Sequence, residues 1–185
     1  VYLLHWLYRR SSKEVSFVRT GMLGEKVVIS GGAFVLPIIH NITQVGMRTL
    51  SLNIKRAGEK SLITKDRMRA ELVTEFFTKV PPEAKAVSTA AQTLGNRTLD
   101  PEHLKEVVAG RFADALGEVA AKMTLDEIQE NRGHFVKEVA KIANESIGHT
   151  GLALETVSII SLDQAPIEMF NPANTFDSQG LTQLT

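Results

Sequence analysis

The chain has no cysteine among its 185 residues, and that absence excludes disulfide scaffolds, zinc ribbons, iron–sulfur clusters and thiol nucleophiles together. Net charge is missing too, because 21 Lys and Arg balance 21 Asp and Glu. A chain with no overall basic field has no general grip on a polyanion, so no nucleic-acid partner is expected. Both signs are interspersed, which argues against an extended, self-repelling chain. The glycine-rich spots, Gly21-Met22-Leu23-Gly24 and Ser30-Gly31-Gly32, lack the lysine and the spacing of a phosphate-binding loop or dinucleotide fingerprint and read as turns. No Gly-x-Ser-x-Gly nucleophile elbow occurs. The five histidines, His5, His40, His103, His134 and His149, lie far apart. None has a second histidine at a spacing that makes a local metal pair. No catalytic residue, metal or cofactor is expected; a site assembled from Asp66, His40 and Glu71 is the enzyme reading that remains.

What is present is a 43% apolar chain, long enough to bury roughly two-thirds of its unfolded surface in one or two domains. It opens on Val1-Tyr2-Leu3-Leu4-His5-Trp6-Leu7-Tyr8 and turns at once to Arg9-Arg10 and Lys13. Aromatic belt followed by basic flank is how a membrane span ends at a headgroup layer. Tyr2, Leu3, Leu4, Trp6, Leu7, Tyr8, Arg9 and Arg10 are therefore the candidate anchoring residues, and residues 1–12 a membrane exit. So short a stretch cannot itself span a core that needs about 20 residues. The bland alternative is an amphipathic start packed on its own domain.

Residues 13–80 carry the period of strands. Val15, Phe17 and Arg19 alternate up to Gly21, and Lys26 to Ile29 forms a second run. Between Thr43 and Arg56 the apolar parity switches, from Val45 and Met47 to Leu50, Leu52 and Ile54, which a bulge or bend near Arg48 and Thr49 would explain. The clearest strand is Arg67 to Val80, with Met68, Ala70, Leu72, Phe76 and Val80 on one face. At Pro81-Pro82 the period changes to that of helices. One helix is expected up to Leu94, a second from the cap Asp100-Pro101-Glu102, and a third from the capping box Thr124-Leu125-Asp126-Glu127 to Ile147. Leu152 to Leu162 is a returning strand. Residues 81–170 thus form an α/β region, and residues 171–185 a polar exit where Asp177 or Ser178 caps a further helix. Strands, helices, then one strand is an α+β layout.

Gly32-Ala33-Phe34-Val35-Leu36-Pro37-Ile38-Ile39 is apolar and uncharged. Its proline bars a central ladder position, so it is a buried edge strand or a loop that dips into a bilayer interface. Phe34, Val35, Leu36, Ile38 and Ile39 are the candidate inserted residues.

Val18-Arg19-Thr20-Gly21, followed by Lys26-Val27-Val28-Ile29-Ser30-Gly31-Gly32-Ala33-Phe34-Val35-Leu36-Pro37-Ile38-Ile39-His40, resembles the opening of flotillins of the bacterial YqiK type, within the stomatin, prohibitin and flotillin (SPFH, Band 7) superfamily. Leu50-Ser51-Leu52-Asn53-Ile54, Leu62-Ile63-Thr64-Lys65-Asp66, Phe76-Phe77-Thr78-Lys79-Val80 and Phe176-Asp177 extend the likeness. One departure is visible. Many relatives carry glycine or asparagine after the aspartate of the turn, whereas Arg67 follows Asp66, which bears on how tight that turn is.

The resemblance implies an SPFH fold with a β-rich subdomain followed by an α/β subdomain with three helices and a returning strand, anchored at the N-terminus and extended into a coiled coil. It implies a scaffold rather than an enzyme. Such a protein sits at the bacterial inner membrane with its SPFH domain on the cytoplasmic side, forms a homo-oligomeric ring or cage around a lipid microdomain, and is often paired with a small NfeD-type membrane protein. If so, the charged helix faces are candidate lateral contacts: Glu102, Glu106, Arg111, Glu118 and Lys122 on one helix, Lys137 and Lys141 on the next. The competing reading is a soluble ligand-binding or regulatory module with the same fold.

Overall fold

A computed structural model describes residues 7–22, 24–170 and 173–184. Its strands are β1 (Tyr8–Arg10), β2 (Val15–Gly21), β3 (Lys26–Val28), β4 (Gly32–Phe34), β5 (His40–Gly46), β6 (Leu50–Arg56), β7 (Leu62–Ile63), β8 (Arg69–Lys79) and β9 (Ala153–Gln164). The α-helices are α1 (Ala84–Thr93), α2 (Pro101–Ala120), α3 (Leu125–Glu130), α4 (Arg132–Gly148) and α5 (Thr175–Leu184). The fold is α+β with a strand-rich N-terminal part, as expected. The chain forms two compact units that interleave in sequence: Val1–Leu50, Thr78–Val107 and Ile147–Ala153 in one, Ser51–Phe77, Val108–Ser146 and Leu154–Thr185 in the other.

In the first unit β2 lies between β3 and β5, antiparallel to both, while β1 and β4 pair as a separate antiparallel ribbon. Phe17, Val28 and Ala33 are buried together with Ile42 packed against them, joining the ribbon to one face of the sheet. Helix α1, which buries Val87 and Ala90, packs against β2, β3 and β5. Its end is set by Gly95, whose φ of +57° is left-handed backbone that glycine adopts without strain.

The parity switch expected as a bulge is a strand end. β5 stops at Gly46 and β6 starts at Leu50 in a different sheet. The physical reason is at Gly46, whose N–H donates to Thr98 Oγ1 at 2.9 Å. A Cβ on Gly46 would lie 2.4 Å from the Thr98 carbonyl oxygen, so β5 ends against the backbone of the Gly95–Leu99 turn.

In the second unit β8 is the organising strand, paired with β6, β7 and β9. The apolar face read from the sequence is the buried one: Met68, Ala70, Leu72 and Phe76 are all in the core. Phe76 stacks on Phe112 of α2, with ring centroids 4.4 Å apart and planes within 10°. The turn before β8 is tight despite Arg67. Thr64 N–H donates to the Met68 carbonyl at 2.9 Å and Arg67 N–H to the Thr64 carbonyl at 3.0 Å. Arg67 is held at φ +64° to achieve this, a conformation that costs an L-residue roughly 1–2 kcal/mol.

Helix starts follow the sequence. Asp100 Oδ1 accepts from the N–H groups of Glu102 at 3.1 Å and His103 at 3.3 Å. The capping box is complete, with Glu127 N–H donating to Thr124 Oγ1 at 3.2 Å and Thr124 N–H to Glu127 Oε2 at 2.8 Å. The expected third helix is two helices, however, so residues 81–170 hold four α-helices where three were expected. Asn131 leaves helical geometry at φ −124°, ψ 51°. Its carbonyl accepts from His134 and Phe135 and so opens α4. The apolar line has a gap between Ile128 and Phe135, so no core contact opposes the break. At the far end Asp177 is not a cap. It lies inside α5, buried, as the partner of Arg69.

Candidate functional site

The features that bear on function are the apolar turn of the first unit and the charged helix faces. Tyr2, Leu3, Leu4 and Trp6 lie outside the described residues. Leu7 is half-buried, and its carbonyl accepts from Val35 N–H at 2.8 Å. That bond fixes the end of the β1–β4 ribbon. Tyr8 and Phe34, cross-strand partners at this end, meet edge to face with centroids 5.4 Å apart. Arg9 and Arg10 follow on β1, both exposed.

Beyond β4 the chain closes a turn from Leu36 to His40. The N–H groups of Ile39 and His40 donate to the Leu36 carbonyl at 3.1 and 2.9 Å, and Leu36 N–H donates back to His40 Nδ1 at 3.1 Å. A ring nitrogen that accepts carries no proton, so the imidazole proton of this tautomer is on Nε2. Pro37 suits the turn because its missing N–H leaves no orphan donor.

Strand β4 and the turn together leave apolar side chains in solvent: Phe34 on the strand is 55% exposed, and on the turn Ile38 is 96% exposed, Leu36 42% and Ile39 38%. Val35, one of the candidate inserted residues, is buried at 6%. It anchors the turn instead of projecting from it. A small cavity of about 200 Å³ opens beneath, lined by Arg9, Val35, Pro37, His40 and Ile42. Arg19 of β2 reaches the same region, its Nη1 donating to the Phe34 carbonyl at 2.8 Å.

The helix-face candidates divide. Glu102 is paired with Lys105 at 3.1 Å, and Glu118 with Lys122 at 2.7 Å. These are exposed pairs within α2 that contribute little to stability. Glu106 lies 4.0 Å from His103. Lys137 and Lys141 are exposed on α4. Arg111 differs, because its Nη1 donates to the Ser146 carbonyl near the end of α4. Its guanidinium is engaged within its own unit.

Asp66 and Glu71 also have local duties. Asp66 accepts from Thr64 Oγ1 and from Leu125 N–H, and Glu71 accepts from Gly58 N–H. A larger opening in the second unit, about 530 Å³, is lined by Lys122, Met123, Glu127, Glu130, Asn131 and His134. Glu127 there is committed to its cap, and Lys122 to Glu118. Among the described residues no cluster of His, Asp and Glu is arranged to hold a metal, and no helix is long and apolar enough to cross a membrane.

Sequence reasoning missed the Arg69–Asp177 pair. Arg69 Nε and Nη2 donate to the two carboxylate oxygens at 2.7 and 3.0 Å, and Nη1 to Ser61 Oγ at 3.2 Å. The side chains are only 13% and 3% exposed. The hydrogen bonds to Asp177 hold the Arg69 guanidinium above its ordinary value, against the opposing pull of burial. No local spacing announces a pair so far apart in the chain.

Comparison with known proteins converges. The sequence model of the SPFH domain / Band 7 family matches residues 11–174. The flotillin family inner membrane protein YqiK of Escherichia coli K12 is 51% identical over 179 residues, which cover 97% of this chain and 32% of that protein. The flotillin family inner membrane protein sll1021 of Synechocystis is 28% identical over 98% of this chain and 27% of its own length. Human flotillin-1 is 25% identical over 83% of this chain and 36% of its own. The chain therefore spans about a third of the length of these relatives.

Proposed function

The chain belongs to the SPFH domain / Band 7 family and is flotillin-like, and from that membership we propose that it is part of a membrane-anchored scaffold of the bacterial inner membrane. In this reading an N-terminal anchor holds the SPFH domain on the cytoplasmic side, and copies of the protein assemble laterally into a closed ring or cage around a lipid microdomain. The protein works by binding and enclosing, not by catalysis. A small NfeD-type membrane protein is the expected companion.

The observation that carries the reading is the apolar turn. Phe34 at the end of β4 and Leu36, Ile38 and Ile39 on the turn after it stand exposed together, directly beside Tyr8, Arg9 and Arg10 of β1, and grouped exposed apolar side chains mark an interaction surface. Aromatic, basic and aliphatic side chains grouped in this way suit the interfacial zone of a bilayer. Close likeness to two proteins named as inner membrane proteins supports the same location.

Lateral assembly requires only weak contacts, because many equal interfaces in a closed ring act together. The exposed faces of α2 and α4 are the proposed contact surfaces, with Glu102, Glu106, Glu118 and Lys122 on the first and Lys137 and Lys141 on the second. Arg111 is left out of the test because it serves α4 internally. Particles of the intact protein, extracted in mild detergent, should appear by electron microscopy as large closed rings. Lys137→Glu with Lys141→Glu should reduce them to small oligomers while leaving the circular dichroism unchanged. Rings of undiminished size in the double variant would reject the α4 face as the interface, and a dispersed monomer in the parent protein would reject the scaffold itself.

A further inference from the structure

We propose that the cavity beneath the apolar turn is a phosphate-group site, lined by Arg9 and His40, flanked on the sheet by Arg19 and Lys26, and filled by the headgroup of an anionic lipid. The first ground is register. Arg19 of β2 stands directly opposite Lys26 of β3 and Ile42 of β5, and directly opposed residues share a sheet face. His40, two residues from Ile42, shares it as well. Both Ile42 and His40 line the cavity, and Arg9 enters it from the β1–β4 ribbon. The pairing of β2 with its two neighbours thus sets basic groups side by side, and the ribbon brings in Arg9.

Like charges directly opposite one another are destabilising in a sheet, and among the described residues neither Arg19 nor Lys26 forms an ion pair. Of the acidic residues on neighbouring segments, Glu14 pairs with Arg48, and Glu25 is turned to Ser88 and Gln92. Two further donors point the same way. Arg19 Nε and His40 Nε2 are both buried and both without a hydrogen-bond partner, and His40 as a whole is only 8% exposed. Buried polar groups are ordinarily satisfied, so donors that have no partner among the described residues, beside cations that have no ion pair among them, call for an acceptor that carries negative charge. The Phe34 carbonyl holds Arg19 Nη1 at 2.8 Å and so steadies the guanidinium fork, the geometry suited to an oxyanion.

A phosphate group is available from two sources, free in solution or on a lipid. The rim decides between them. Leu36, Ile38 and Ile39, which flank the cavity-lining Pro37 in the chain, stand exposed, and apolar side chains add nothing to capture of inorganic phosphate. They match the acyl boundary directly below a phospholipid headgroup. The choice of lipid rests on the membrane reading above; the basic cavity does not.

The test uses the intact protein and vesicles of phosphatidylcholine, with and without phosphatidylglycerol. Arg9 and Lys26 are exposed, so Arg9→Gln with Lys26→Gln does not put folding at stake. Affinity for the phosphatidylglycerol vesicles should fall about tenfold or more, whereas the control pair Arg10→Gln with Lys13→Gln, equal in charge but off the cavity, should lose clearly less. Arg19→Gln should behave like the cavity pair, and Arg19→Lys should fail to restore binding. Equal losses in the cavity and control pairs would reduce the effect to a diffuse field and overturn the site. Equal retention on the two vesicle types in the parent protein would overturn the lipid. Calorimetry with inorganic phosphate separates the remaining cases. Binding of free phosphate that Arg19→Gln abolishes, without a preference for anionic vesicles, would sustain the cavity and refute the lipid source. Ring size, measured on the same variants, should not change, so failure of the scaffold reading and failure of the site are distinguishable.

Discussion

Asp177→Asn should release helix α5. The substitution is nearly isosteric, but it replaces one carboxylate oxygen with an amide that repels the guanidinium and removes the charge that Arg69 is buried against. Both side chains are largely out of water, at 13% and 3% exposure, and breaking such a pair from one side costs about 3–5 kcal/mol. The loss falls on α5, because a helix of 10 residues has little stability apart from its docking. What else holds it is a close backbone approach, since a Cβ on Gly180 would lie 2.6 Å from the Arg67 carbonyl oxygen and 2.8 Å from the Phe170 ring. The expected outcome in amide hydrogen exchange is a drop in α5 protection of roughly a hundred- to several-thousandfold, or to complete exposure if the docking free energy is smaller than the pair's. Protection of β8 should hardly change. Replacing both partners, as Arg69→Met with Asp177→Leu, should recover much of the loss, because an apolar pair leaves no orphan charge. A raised guanidinium value places the pH at which Arg69 itself would lose its proton above the ordinary arginine range, so its contribution is present at lower pH and would vanish only on rising through that alkaline limit. If α5 protection in Asp177→Asn falls less than tenfold, the pair is not what docks the helix.

Three further outcomes are expected. Arg67→Gly should raise the urea midpoint, by up to about 1 kcal/mol of stability, because glycine takes the +64° φ without strain. Thr124→Ala removes the acceptor of the capping box and should cost about 1 kcal/mol, visible as faster exchange confined to α3. Gly46→Ala would drive a methyl to 2.4 Å from the Thr98 carbonyl; it should destabilise by about 1–3 kcal/mol in equilibrium denaturation, and an unchanged midpoint would mean that the Gly95–Leu99 turn yields easily.

The sequence exposes those parts of the fold whose cause is local. The caps at Asp100 and Thr124 are legible because their partners lie within three residues, and β8 is legible because alternation over eleven residues has no helical counterpart. Where two local causes leave the same trace, the trace misleads. A parity switch looks alike whether a strand bulges or stops, and only the approach of Thr98 to Gly46 decides it. Asp177 has the chemistry of a cap, yet Arg69 claims it across the fold. The basic cavity was illegible for a related reason. Arg19, Lys26 and His40 are unremarkable singly, and it is strand register that sets them side by side. The apolar turn was visible as a run of uncharged residues, but not that Val35 faces inward while its neighbours face out.

The bond from Val35 N–H to the Leu7 carbonyl has a mechanical consequence. Tension arriving at Leu7 from the preceding residues meets the β1–β4 ribbon at its free end. Pulled away from β4, the ribbon loads its cross-links one at a time: first the Leu7–Val35 bond, then the Tyr8–Phe34 pair, then Arg9 opposite Ala33 and Arg10 opposite Gly32. Pulled along β1, the same links share the load in shear and yield together. The ribbon is thus a directional fuse, weak to peeling and stronger to sliding. The contact of Arg19 with the Phe34 carbonyl belongs to β4, so the first event under a peeling force is loss of β1 alone, with the apolar turn left seated on the sheet.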